Sequence, residues 1–321
     1  MKIRVFEAFA GYGSQSIALE RIKQEYSNFD YEIVGISEID KYAIKAYNAL
    51  HNNVFNYGDI AAIDWNGVPD FDLFTYSFPC QDISNAGYQK GFCEGSATRS
   101  SLLWECRKAI VTKRPKYLLL ENVKALSNKK FRPLLNKWIE ELESYGYYNV
   151  WKVLNARDFG VPQNRERFFL VSILKDEATT IPTYNFPSPI PLDIRLVDIL
   201  ENSDALKCAN QIEVLEPAIK IEGYLFPSRH SAGRIINIGG ISPTVMDNHG
   251  SVISIKEPHS NIRKLTTREY FRLMGLCDDD IDKIESYGIC KSQQYKLAGN
   301  SIVVNVLYHI FNSLFACSLE K

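Results

Sequence analysis

Apolar and polar positions along this 321-residue chain fall into alternating blocks. Short apolar runs rich in β-branched and aromatic residues occupy 3–9 (IRVFEAF), 32–36, 71–76, 116–123 (KYLLLENV), 149–155 and 168–174. Between them lie stretches with helical spacing, at 15–26, 41–50, 101–113 and 131–145. Strand and helix in alternation predict an α/β fold, a doubly wound and mostly parallel sheet of Rossmann-like type. From about Thr179 the texture changes. Prolines at 182, 187, 189 and 191 break the alternation, and 201–225 is polar and irregular. Residues 226–255 then read as a small β-rich insert carrying Arg229, His230, Arg234, a Gly239-Gly240 pair and Asn248. Helical patterning returns near 263, where Thr266-Thr267-Arg268-Glu269 spells a capping box. Lys296 to Asn300 leads through Ser301 into an apolar helix reaching Leu319. The expected organisation is 1–185, an inserted 186–262, and 263–321 returning to the first unit.

Composition narrows the class. Apolar content of 45% and charged content of 23% suit a globular chain with a sizeable core. No apolar stretch approaches the length of a membrane span, and the N-terminus enters a strand at once, unlike a signal peptide. Seven cysteines, at 80, 93, 106, 208, 277, 290 and 317, are scattered without CxxC pairs. That pattern argues against a zinc site or a disulfide framework and for a reducing, cytoplasmic setting. A net charge of −1 gives no global attraction to nucleic acid, so such binding would need local basic patches.

The candidate chemistry sits where strands end. In an open α/β sheet, ligands bind beyond the carboxyl ends of the strands. After the first run comes Ala10-Gly11-Tyr12-Gly13-Ser14, a glycine turn opening a helix, though without the third glycine of a dinucleotide fingerprint. After the second comes Glu38, placed to hold ribose hydroxyls or, more plainly, to favour a helix N-terminus. Gly58-Asp59-Ile60 reads as a third strand end, with a carboxylate beside an apolar residue. Together with Phe9 these positions suit an adenosine-type ligand. After the run ending at Tyr76, Phe78-Pro79 delivers a lone cysteine, Cys80, where a nucleophile would stand. Buried structural cysteine is the ordinary alternative. The glycine-rich stretch Gln81 to Arg99 has the character of a lid. Glu121, at the tip of an apolar strand, is costly there unless paired or useful. Arg165 and Arg167, two apart in an extended segment, share a face at the expected active edge.

In this order the segments FEAFAGYGS (6–14), SEID (37–40), GDI (58–60), FPCQDIS (78–84), ENV (121–123), QNRERFF (163–169), RKLTTRE (263–269) and AGNSIVVNVL (298–307) closely resemble the cytosine-C5 DNA methyltransferases. The resemblance spans nearly all the chain outside about 186–240. It implies S-adenosylmethionine as cofactor, no metal, and a cytosine turned out of duplex DNA as target. It implies that Cys80 attacks C6, that Glu121 holds or donates the proton at N3, that Arg165 neutralises the O2 region, and that Arg167 orders the pocket. The matching cofactor positions are Phe9, Gly11, Gly13, Glu38, Ile39, Asp59, Ile60, Pro79, Leu102, Asn300 and Ser301. Gln81 and Ser84 in the loop, and Arg229, Arg234, Thr244 and Asn248 in the insert, become candidates for DNA contact, with Asn237 a further one. Two departures stand out: Ile39 replaces an aromatic residue, and Ala86 lacks a polar side chain to fill the flipped base's space. Family-like expectations are a monomer, in a restriction-modification or orphan context, with any cognate endonuclease acting separately. A tRNA cytosine-C5 methyltransferase and a catalytically silent DNA-binding protein on this fold are the rival readings. The substantial insert favours DNA over tRNA, and intact Cys80, Glu121, Arg165 and Arg167 argue against silence.

Overall fold

The computed structural model describes residues 1–51, 53–79, 83, 99–175, 184–201, 203–208, 212–228, 230–247, 252–258 and 262–319. Its sheet is built from β1 (Lys2–Ala8), β2 (Asp30–Ser37), β3 (Leu73–Tyr76), β4 (Tyr117–Val123), β5 (Tyr147–Asn155), a two-residue β6 (Gln163–Asn164) and β7 (Glu166–Leu174). Six of these form one sheet in the order β2-β1-β3-β4-β7-β5, while β6 stands outside it. β1, β2, β3 and β4 run parallel, linked by α1 (Ser14–Glu25), α2 (Lys41–Leu50) and α3 (Leu103–Lys113). α4 (Arg132–Ser144) then carries the chain to β5. β7 is antiparallel to both its neighbours. Only a 3-10 turn (Ala156–Phe159) and β6 join β5 to β7, with no crossover helix to reverse the direction.

Continuous apolar runs make these strands because both faces of the sheet are covered. Val5, Leu73, Leu119, Phe169 and Val171 enter one buried cluster with Ile22 and Phe311, on the side of α1 and α9 (Val304–Phe315). Phe6, Phe74, Tyr76, Leu118, Leu120 and Phe168 enter the opposite cluster with Ile110 and Trp138, on the side of α3 and α4. Adjacent residues pointing to opposite faces is the period of a strand.

The expected β-rich insert is present. α5 (Ser203–Cys208) precedes β8 (Ile221–Tyr224), β9 (Arg234–Ile236), β10 (Ser242–Pro243), β11 (Ser254–Lys256) and β12 (Ile262–Lys264). Four of these strands form the sheet β12-β11-β9-β8, whereas β10 pairs with β6. Val245, Val252, Ile253 and Ile255 lie in the same buried cluster as Val5 and Ile22, so the inner side of this region packs into the main core. α6 (Thr267–Leu273), α7 (Asp278–Ser286), α8 (Lys291–Asn300) and α9 complete the chain. Thr266 and Glu269 form the capping box read from the sequence. Glu269 also takes both terminal nitrogens of Arg263 at 2.8 Å, tying β12 to α6.

One expected element differs. Gly58-Asp59-Ile60 ends no strand; an isolated bridge between Ile36 and Asn56 is the only pairing there. Asp59 instead caps a 3-10 turn, Ile60–Ala62, its carboxylate accepting from the Ala61 N–H. A short polar segment with a glycine at φ +72° turns too sharply to extend the sheet.

Candidate active site

The ends of β1 and β2 are joined through one carboxylate. Glu38 accepts from the Gly11 N–H at 2.9 Å on one oxygen, and from the Ile39 and Asp40 N–H groups at 2.8 Å on the other. A carboxylate has about four acceptor positions, so one remains for a ligand hydroxyl. Helix capping falls to Asp40, which accepts from Tyr42 and Ala43 and pairs with Lys296 at 2.6 Å. Glu38 is thereby released from the capping role that its position also allowed.

Asn56, which the sequence reading passed over, fixes the spacing of this edge. Its side chain accepts from the N–H groups of Glu38 and Gly58 and donates to the Glu38 carbonyl. Ser37 adds a hydroxyl donation to the Gly58 carbonyl at 2.7 Å. The candidate acids Glu38 and Asp59 therefore belong to one braced unit. An asparagine two residues before a glycine is a local turn signal that could have revealed it.

The glycine turn is built for close approach. Phe9, Gly11 and Gly13 all have positive φ, at 56°, 60° and 83°. A Cβ on Gly13 would lie 2.3 Å from Nε2 of His51, so only glycine fits. A Cβ on Gly11 would meet just Ser301 Oγ, at 3.9 Å, leaving room above the backbone for a ligand. Phe9 and Leu102 are half-buried against the cluster of α3 and α4, Ile60 is buried, and Ile39 is 73% exposed. An apolar wall, two carboxylates and a bare glycine backbone fit an adenosine moiety. Beneath them, fully buried Glu7 accepts from Ser16 and Tyr47, and burial raises its carboxyl to about 7.

The second part of the edge lies at the end of β4. Glu121 is only 8% exposed. Burial raises its pKa, while the nearby charges of Arg167 and Arg165 and the Ser77 hydroxyl draw it back. Arg167 Nε stands 3.4 Å from its carboxylate. Asn122 donates from Nδ2 to the Phe78 carbonyl at 3.0 Å, binding the Glu-Asn-Val tip to the Phe-Pro turn that ends in Pro79. Cys80, Gln81 and Ser84 lie outside the described residues, as do Arg229 and Asn248.

The two arginines do different work. Arg167 reaches Glu121 from β7, whereas Arg165 is 2% exposed in the link between β6 and β7. Its guanidinium donates to three carbonyls, of Val245 at 2.8 Å, Gly299 at 2.8 Å and Ser301 at 2.7 Å. Gln163 works alongside it, donating to the Leu273 carbonyl and accepting from the Val245 N–H. Thr244 donates its hydroxyl to the Asn164 carbonyl at 2.6 Å, an anchor for the insert. Arg234 is exposed at the start of β9, and Asn237 accepts from the Gly239 N–H. Ser301 donates to the Leu297 carbonyl, and Asn300 is exposed at the end of α8. The Ala-Gly-Asn-Ser segment thus returns beside Gly11, over 280 residues away in sequence. Sequence spacing carries no signal for such three-carbonyl bracing.

Among the described residues, no group of three or more His, Cys, Asp or Glu side chains converges as a metal site, and no helix is long and apolar enough to cross a membrane. Comparison with known proteins agrees with the geometry. The family described as C-5 cytosine-specific DNA methylase matches residues 3–316. The type II methyltransferase M2.ScrFI of Lactococcus lactis subsp. cremoris is 38% identical, over 98% of this chain and 99% of its own. The orphan methyltransferase M.SssI of Spiroplasma monobiae is 32% identical, over 98% and 97%. The S. pombe Dnmt2 methyltransferase has the same fold, with a TM-score of 0.67 over 98% of this chain and 99% of that one, at 19% identity. The chain belongs to the C-5 cytosine-specific DNA methylase family, and it is a DNA cytosine-5-methyltransferase.

Proposed function

We propose that the enzyme methylates C5 of a cytosine turned out of a short specific sequence in duplex DNA, through a covalent bond from Cys80 to C6. The observation that carries this reading is Glu121: a buried carboxyl with a raised pKa, beside Arg167, and tied through Asn122 to the turn that leads into Cys80.

Position 5 of cytosine is a weak nucleophile, so the ring must first be made electron-rich. The Cys80 thiolate adds to C6, and the displaced electron pair moves through the ring toward N3. Glu121, whose hold on its proton is strengthened by burial, supplies the proton there, while Arg165 and Arg167 balance negative charge around the base. When bound, S-adenosylmethionine supplies an electrophilic methyl group. Phe9, Gly11, Gly13, Glu38, Ile39, Asp59, Ile60, Pro79, Leu102, Asn300 and Ser301 would hold it. Loss of the C5 proton to solvent and return of the N3 proton to Glu121 then restore the C5–C6 double bond, and the S–C6 bond breaks to regenerate the thiolate. Residues 186–262 would read the target sequence, Arg234 and Arg229 among the side chains reaching DNA. The setting proposed is the cytoplasm, as a monomer, within a restriction-modification or orphan modification context.

The test is bisulfite sequencing of DNA from cells expressing the wild type, beside a Cys80→Ala control. The expected result is methylcytosine in one short context with the wild type and none with the variant. Unmodified DNA from folded wild type would reject the reading, and methylated tRNA in those cells would replace its substrate.

A further inference from the structure

The stretch immediately after Glu121-Asn122-Val123 reads KALSNKKFRPLLNK, from 124 to 137. It contains Lys124, Lys129, Lys130, Arg132 and Lys137 and no acid, in a chain whose net charge is −1. Topology decides where that charge lies. A 3-10 turn, Lys124–Ser127, starts at the carboxyl end of β4, and α4 begins five residues later. Lys124 is held to Glu166 at 2.9 Å, so this turn rests against β7 beside Arg165 and Arg167. The acids of α4, Glu140, Glu141 and Glu143, lie in its last two turns, at the end farther from that edge.

Lys129, Arg132 and Asn136 line one depression, while Lys137 turns toward α3. Lys129, Lys130, Asn136 and Lys137 are exposed, and Lys129 makes no ion pair among the described residues. Arg132 is fixed, stacked 4.6 Å over Trp151 and donating from Nε and Nη2 to the Ser127 carbonyl. Lys137 lies over Trp104 at 5.3 Å. A cavity of about 490 Å³ opens at the start of α4, lined by Ser127, Lys129, Arg132, Pro133 and Asn136. Positive charge, with hydroxyl and amide groups and a rigid guanidinium, is the chemistry that meets phosphate oxygens. An acidic peptide would be drawn by the same charge, but the patch continues from the edge where a duplex must approach to deliver its cytosine.

We propose that Lys129, Lys130, Arg132 and Lys137 bind the phosphate backbone of the duplex flanking the target cytosine, extending the DNA footprint from the active edge along α4. The contact is independent of sequence and positions the duplex without reading it. The inference rests on duplex DNA being the substrate.

The test replaces Lys129, Lys130 and Lys137 together with Gln and leaves Arg132, with its packing role, in place. DNA affinity is titrated against salt on two duplexes, one ending close to the target cytosine and one extending well beyond it on both sides. Each lost phosphate contact lowers the slope of log K against log salt by about 0.9. The expected result on the long duplex is a slope shallower by roughly two to three, and affinity reduced on the order of a hundredfold at 0.15 M salt. Cognate and non-cognate sequences should weaken alike, the short duplex should change little, and kcat at saturating DNA should hold. Lys129→Glu with Lys130→Glu should weaken binding further. Equal slopes and affinities in a wild type that methylates DNA would overturn this surface alone. A wild type that neither binds nor methylates duplex would overturn the substrate reading with it. Loss confined to a single-stranded RNA or an acidic peptide competitor would assign the patch to that partner and reject the proposal.

Discussion

The proposed cofactor edge and the inserted region are held by opposite means. At the ends of β1 and β2, polar groups are locked to backbone: Glu38 takes three N–H donors and Asn56 makes three bonds. In the insert, strands are two to four residues long, and Val214, Ile221, Tyr224, Leu225 and Phe226 are exposed. Its inner side is fixed: Arg165 and Gln163 hold the backbone at Val245, Thr244 donates to the Asn164 carbonyl, and Arg263 ties β12 to Glu269. The difference teaches where each kind of precision is needed. Reaction geometry demands a preorganised edge, whereas the proposed DNA-reading surface needs firm seating and free outer positions.

The sharpest attack on that contrast is Glu121→Gln. Removing a positioned acid costs on the order of 10²–10⁴ in kcat, with the melting temperature almost unchanged. Because Glu121 is raised by burial, wild-type kcat should fall as pH rises and its proton is lost. That alkaline limb should be absent in whatever activity the variant keeps. A variant as active as wild type would show that this edge does not handle the N3 proton.

Gly299→Ala strikes the seam between the two regions. The new Cβ would stand 2.3 Å from the Asp247 nitrogen and from the Met246 carbonyl carbon, backbone atoms that cannot swing aside. A cost of about 2–4 kcal/mol in urea unfolding is expected. A loss below 1 kcal/mol, against roughly that scale for core strain, would mean the insert is loosely seated.

Glu7→Gln probes the floor of the proposed cofactor edge through pH. The folded carboxyl sits at about 7 against an ordinary 4.5. Its stabilising contribution is therefore complete below 4.5 and is lost as pH rises through about 7. The neutral amide removes that dependence. Melting curves between about pH 5 and about pH 8 should show wild type losing stability relative to the variant as pH rises. Parallel profiles would refute a neutral buried Glu7. The smallest effect belongs to the outer insert. Val214→Ser, at a position 68% exposed, should change stability by less than about 0.5 kcal/mol. A larger loss would show that the outer surface is structural.

Much of the N-terminal half was legible in the sequence. Runs such as KYLLLENV announce a strand buried on both faces, and the glycines and acids after such runs mark the edge where ligands bind. Asp59 was misread as a strand end because a carboxylate beside an isoleucine looks alike in a strand and in a 3-10 turn. The reversed β7 was also hidden, since a strand's apolar pattern carries no direction. Asn56 escaped notice, and the bracing roles of Asn122 and Gln163 within their motifs did too, because single amides have no periodicity and their worth depends on which carbonyls and N–H groups face them.

The sequence by itself determined the class of fold, through its hydrophobic period, and the family, through the resemblance of its ordered motifs. It also proposed which residues carry the chemistry. Only the tertiary structure decided that Arg165 clamps Val245, Gly299 and Ser301, that Asp40 rather than Glu38 caps α2, and that the basic run after β4 faces outward beside the active edge. The physical reason is one of range: propensity and pattern act between near neighbours, whereas hydrogen bonds and charge act on whatever the folded chain brings together.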